Sequence, residues 1–128
     1  MKHLTDIATL IENAGLGTKA KDVFIGTLPG GLNSGVMIRP PLTGTKIDEG
    51  LRGFHEAEVM IIVRDPSPAA GYDKALQLQT ALAKHNVTIG ETYFGWMRPT
   101  ELPVSYPRGD GDEVETAFDL QIGFAYVA

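Results

Sequence analysis

The chain contains no cysteine, which excludes disulfides, thiolate metal sites and thiol catalysis. It has no apolar run near the ~20 residues of a helical bilayer span, and its first residues carry no signal-peptide apolar core. Basic residues are few beside acidic ones: 11 Lys and Arg against 16 Asp and Glu, for a formal net charge of −5. Proteins grip phosphate backbones with Lys and Arg that displace counterions, so this balance argues against a main role in binding nucleic acid. Internal repeats and low-complexity tails are also missing. What is left is an ordinary globular composition, 43% hydrophobic and 21% charged. A chain of 128 residues is expected to form a single domain, 1–128, burying roughly two thirds of its unfolded surface.

The clearest pattern present is the last stretch. From Glu113 to Val127 the side chains alternate, with Val114, Thr116, Phe118, Leu120, Ile122, Phe124 and Tyr126 on one side. Glu113, Glu115, Asp119 and Gln121 fall on the other, which ends in small residues. A period of two places successive side chains on opposite faces of a strand. This strand is more than twice the common length of about five to six residues. A second long strand runs from Gly53 to Arg64, with Ala57, Val59, Ile61 and Val63 expected inside. Two strands this long are expected to offer edges that a small core leaves uncovered, and such edges are normally paired or protected.

The remaining elements follow from spacing and punctuation. Leu4, Ile7, Ala8, Leu10 and Ile11 recur at helical spacing, and Gly15 stands where a left-handed cap would end that helix. Val23–Gly26 and Val36–Arg39 read as short strands, the second stopped by Pro40 and Pro41. Ser67 and Pro68 are a good N-cap and first-turn pair for a second helix reaching about His85, with Tyr72, Ala75, Leu76, Gln79, Leu82 and Ala83 as its stripe. Val87–Met97 gives a strand pair or a bent strand. Leu28–Ser34, Pro40–Gly50 and Arg98–Asp112 read as loops free to reach neighbouring proteins. Strands joined by loops imply an α+β fold: a mostly antiparallel sheet of about four to six strands, with two helices on one face.

Candidate chemistry is sparse. His3, His55 and His85 lack partners at metal-ligand spacing and read as surface or capping residues. Gly15-Leu16-Gly17-Thr18-Lys19 lacks the spacing of a phosphate loop, and Ser34, Ser67 and Ser105 lack a nucleophile-elbow context. Glu56 and Glu58 share one strand face and read as a solvated surface rather than an acid–base pair. No catalytic residue, cofactor or metal is expected. Tyr93-Phe94-Gly95-Trp96-Met97-Arg98-Pro99 is the densest aromatic cluster, and aromatics and Arg are favoured at interface cores. Core packing suits Phe94; Tyr93, Trp96, Arg98, Tyr106 and Arg108 are candidates for a partner interface.

Taken in order, "KDVFIGTLPGG", "FHEAEVMIIVRD", "GYDKALQLQTAL" and "YFGWMRPTELPVSYPRGDGDEVETAFDLQIGFAYV" resemble the tail terminator (minor tail, head–tail joining) proteins of long-tailed bacteriophages. The resemblance covers nearly the whole chain, and its motifs are structural. It implies a protein that is not an enzyme and assembles as a ring, commonly a hexamer, that stops tail-tube growth. The implied partners are other copies of itself, the tail tube protein, the head connector or neck protein, and in some phages a sheath protein. DNA would pass through without specific binding, and no membrane is involved. The implied location is the virion tail, after assembly in the host cytoplasm. Geometry permits such a ring. A chain of this length has a radius of gyration near 14 Å, so six touching copies leave a hole of roughly 36 Å. If the long strands line that hole, Glu56, Glu58, Glu113, Glu115 and Asp119 would make its wall acidic and repel phosphates. Two other readings fit the residues. One is a small-molecule enzyme of ferredoxin-like α+β fold with Asp110, Asp112 and Arg98 around a cleft. The other is an adaptor that adds its sheet edge to a partner's sheet.

Overall fold

Leu4, Ile7, Ala8 and Ile11 fold as one buried stripe of α1, Lys2–Asn13. The structure, a computed structural model, describes residues 2–28, 32–40, 44–47, 50, 53–107 and 114–127. Helix α1 stops where Gly15 takes a left-handed φ of 76°. There the Gly15 N–H donates to the Glu12 carbonyl at 3.0 Å and the Leu16 N–H to the Ile11 carbonyl at 3.1 Å. Leu16 packs back on the core. This pair of bonds satisfies carbonyls that the helix end would otherwise leave bare.

The chain continues through β1 (Val23–Ile25), β2 (Gly35–Arg39), β3 (Lys46–Ile47), β4 (Phe54–Asp65), α2 (Pro68–Leu82), β5 (Lys84–Ile89), β6 (Thr92–Pro99), β7 (Val104–Pro107) and β8 (Val114–Tyr126). Among the described residues there are thus two helices and one eight-stranded sheet, ordered β1-β2-β4-β8-β6-β5. Strand β3 lies beside β4, and β7 beside β8. The α+β class holds, but the sheet exceeds the expected four to six strands and is mixed. The extra strands, β3 and β7, sit in segments read as loops; at two and four residues they are too short for alternation to show. Strands β1 and β2 run parallel. At the two ends of this pairing the Val36 N–H donates to the Asp22 carbonyl and the Gly26 N–H to the Ile38 carbonyl.

The two long strands are central and are not sheet edges. They pair with each other from Phe54↔Ala125 to Asp65↔Val114. The outer edge of β4 is shared by β2 along 60–64 and β3 along 55–56. That of β8 is shared by β6 along 120–126 and β7 along 114–117. Their length therefore lets each bridge two shorter neighbours. The cross-strand pairs Ala57↔Ile122, Val59↔Leu120, Ile61↔Phe118 and Val63↔Thr116 all point to the helices and are buried.

Helix α2 covers this face, capped by Ser67, whose hydroxyl accepts from the Ala70 N–H at 3.3 Å. Its buried stripe is Gly71, Ala75, Leu78 and Leu82, rotated from the expected one. Gly71 explains the rotation. A Cβ there would stand 3.2 Å from the Asp65 Cβ and 3.5 Å from the Thr116 hydroxyl, so the helix rests its bare backbone on the sheet end. The helix ends at Leu82, which leaves His85 exposed on β5 rather than at a helix terminus.

His3 also departs from its expected surface place. It is buried, stacks on Phe124 at 4.3 Å between ring centres, and hydrogen-bonds through Nδ1 with the Tyr126 hydroxyl at 2.8 Å. Burial, with nearby His55 adding to it, holds the His3 imidazole down to about 4 from the usual 6.5. Because the folded value is depressed, an unfolded chain takes up this proton first as pH falls. Stability contributed by neutral His3 is complete above about 6.5 and is lost progressively toward pH 4. Thermal unfolding should therefore show a midpoint that falls between pH 6.5 and 4, and His3→Phe should flatten that slope.

Candidate functional site: an open sheet face

Both helices lie on one side of the sheet, so alternation leaves a second face without helical cover. On β4 this face carries Phe54, Glu56, Glu58, Met60, Ile62 and Arg64; opposite them on β8 stand Ala125, Gly123, Gln121, Asp119, Ala117 and Glu115. Register adds Met37 and Arg39 from β2, Lys46 from β3, and Val104 and Tyr106 from β7.

Strand β6 joins the face through an irregularity. Phe94 pairs with Phe124 on the helix side, but the register to β8 then shifts, and Trp96 pairs with Gly123. The extra residue, Gly95, is a bulge that turns Trp96 and Arg98 to the open side although strict alternation would have put them with Phe94. Trp96 fits because position 123 has no side chain: a Cβ on Gly123 would collide with the indole. The Phe54 ring leans on Trp96 at 5.4 Å. The Arg98 guanidinium lies 5.8 Å from the indole centre, and its Nε–H donates to Gln121 Oε1 at 3.0 Å. The Trp96 indole N–H is buried without a hydrogen-bond acceptor among the described residues. Lys46, Glu56, Glu58, Trp96, Arg98 and Gln121 border a groove of about 270 Å³ here.

The structure thus brings Tyr93, Trp96, Arg98 and Tyr106 to one face, although Tyr106 stands at its far end. The Tyr93 hydroxyl donates to Asn86 Oδ1 at 2.7 Å. Tyr106 has its hydroxyl pKa pushed up, first by burial and then by Glu115. Arg108, Asp110, Asp112 and Glu113 lie outside the described residues. Glu56, Glu58, Glu115 and Asp119 do share the open face, yet the neighbouring strands intersperse Arg39, Lys46 and Arg98. Glu115 is committed further: its Oε2 accepts from Arg64 Nη2–H at 3.1 Å and Nε–H at 3.3 Å. Arg64 also donates to the Leu32 carbonyl at 3.2 Å. The acidic wall expected from the long strands alone is, in the folded sheet, a face of mixed sign.

Spacing alone missed three exposed apolar side chains. Ile47 is 73% exposed, Leu102 70% and Val104 60%. The available signal was apolar residues inside turn-rich segments, where a core contact is hard to make. The far end of the face, beside Met60, Leu102, Val104 and Tyr106, holds a second groove of about 170 Å³.

Comparison with known proteins places this architecture. No curated protein matches the chain in sequence. Among solved structures, a chain of the "Virion of native gene transfer agent (GTA) particle" superposes with a TM-score of 0.72. The match covers 95% of this chain and 93% of that one. At 13% identity the likeness is one of fold. The family model described as bacteriophage tail terminator protein matches residues 10–126, which span every strand, α2 and the end of α1. The chain therefore belongs to the bacteriophage tail terminator protein family, a family of structural tail proteins.

Proposed function

We propose that this protein caps the phage tail tube as a homo-oligomeric ring of six copies, stops tube polymerisation, and forms the joint to the head or neck connector. The observation that carries this reading is the family match over residues 10–126. The sheet supports it: one face is packed by helices, and the other presents aromatic, apolar and charged side chains without helical cover. Such a face suits a protein that meets other proteins. In the ring, the open faces of β4 and β8 turn toward the channel, where Glu56, Glu58 and Asp119 keep DNA from adhering as it passes; the net charge of −5 acts in the same direction. The protein resides in the virion tail after assembly in the host cytoplasm, in contact with tube and connector and, where the phage has one, with the sheath.

Mixing the purified protein with polymerising tail tube subunits tests this. Tubes should stop lengthening and carry one ring of added density at a single end by electron microscopy. Tubes that grow unchanged, with the protein unbound, would count against terminator activity.

A further inference from the structure

One buried titratable side chain lies away from the open face, on the helix side of the sheet. His3, 8% exposed, belongs to the first turn of α1 and covers the end of β8. It stacks on Phe124 at 4.3 Å and shares a hydrogen bond with the Tyr126 hydroxyl at 2.8 Å. A second imidazole, His55 of β4, stands 5.3 Å from the same Phe124 ring and 6.1 Å from that of Tyr126. An imidazolium has two N–H donors to satisfy, whereas the described residues give His3 one hydrogen-bond partner. The charges around it are mixed. The α-amino group and His55 oppose a positive charge on His3, and Asp6 favours one. Lys2 lies over the Tyr126 ring at 5.9 Å and pairs with Glu91 of the β5–β6 turn at 3.6 Å.

We propose that His3 is a proton-operated latch: neutral, it seats the start of α1 on Phe124 and Tyr126; protonated, it leaves that seat with Lys2, while the rest of the fold stays closed. A stacked, buried seat with one polar partner suits a neutral ring and penalises a cation. The helix start resists little. Its first turn holds Lys2 and no acid, which puts a cation at the positive end of the helix dipole. The stop comes next along the helix. Leu4 is 1% exposed, and Asp6 Oδ2 accepts from the Thr92 hydroxyl at 2.6 Å and the Glu91 N–H at 3.2 Å. Fraying therefore ends before Leu4. Because the seat lowers the imidazole from 6.5 to about 4, acid raises the ratio of released to seated ends by up to ~300-fold. Release bares Phe124 in the row it shares with His55 and Ile47, and Ile47 is already 73% exposed. Acid thus enlarges an apolar corner on the helix side of the sheet, independently of the ring reading.

The absence of native cysteine allows a direct test. Lys2→Cys gives the chain a single thiol for a fluorescent dye, and the ion pair it removes is an exposed one of small worth. Time-resolved anisotropy of the dye separates local motion of the helix start from tumbling of the whole particle. Emission of Trp96, on the opposite sheet face, reports whether the sheet stays folded. From above pH 6.5 down to about pH 4, the fast local component should grow while Trp96 emission holds. Adding His3→Phe, which keeps an aromatic ring on Phe124 and takes up no proton, should abolish that growth. The Lys2→Cys chain with native His3 decides the matter even if the phenylalanine variant does not fold. A fast component that stays flat to pH 4, one that grows only together with a change in Trp96 emission, or one that grows equally in a folded His3→Phe chain would overturn the latch.

Discussion

Replacing Phe124 with Ala should lower the unfolding free energy by about 3–5 kcal/mol. Phe124 is 1% exposed and lies near the end of β8, where it pairs with His55 on β4 and Phe94 on β6. His3 stacks on its ring at 4.3 Å, His55 approaches to 5.3 Å and Tyr126 to 5.6 Å. Truncation removes the transfer energy of the ring and leaves a cavity that three strands and α1 cannot close together. A domain of this size is stable by about 5–15 kcal/mol in all, so the loss is a large share. Urea unfolding should show a reduced midpoint with a nearly unchanged slope. The control is Ile47→Ala on exposed β3, expected within about ±0.5 kcal/mol. Equal effects at the two positions would contradict the assigned orientation of β8.

The second large effect is expected at Glu115. Its carboxylate accepts two bonds from Arg64, and the two side chains are 18% and 7% exposed. Removing one member of a buried ion pair costs about 3–5 kcal/mol, because the remaining charge loses its compensation away from water. Partial exposure of Glu115 puts Glu115→Ala near about 3 kcal/mol. Glu115→Lys should be worse, since it places a second cation beside Arg64. A double-mutant cycle with Arg64→Met should return a coupling well above the few tenths expected of independent sites. Coupling near zero would mean that the pair contributes only as a solvated surface contact. A charge-reversal test of the proposed channel wall therefore belongs at Glu56 and Glu58, for which no ion pair stands among the described residues.

Much of the fold was legible because it rests on long, regular patterns. Alternation through Val114–Tyr126 and Phe54–Asp65 gave the buried face of both central strands, and Gly15 marked the end of α1. Ser67 with Pro68 marked the start of α2. The phase of α2 was not legible. Leu76, Leu78, Ala81 and Leu82 spread apolar character around the helix, and the position that fixes the contact, Gly71, has no side chain to count. Residue type set Trp96 apart from Phe94, but the device that separates them was not legible, because a bulge at Gly95 changes parity without changing composition. The open face was half legible. Its acids were visible on the long strands, but the bases beside them come from β2, β3 and β6, and only pairing registers bring those together. The charge of a sheet face is a property of several strands at once.

The central claim is that this chain builds a closed ring, and negative-stain electron microscopy of the purified protein, with its mass in solution measured by light scattering, tests it most directly. The account requires rings with an open centre and a particle mass six times the 13.8 kDa of one chain. Monodisperse 13.8 kDa particles without rings, at concentrations where the protein is folded, would contradict it.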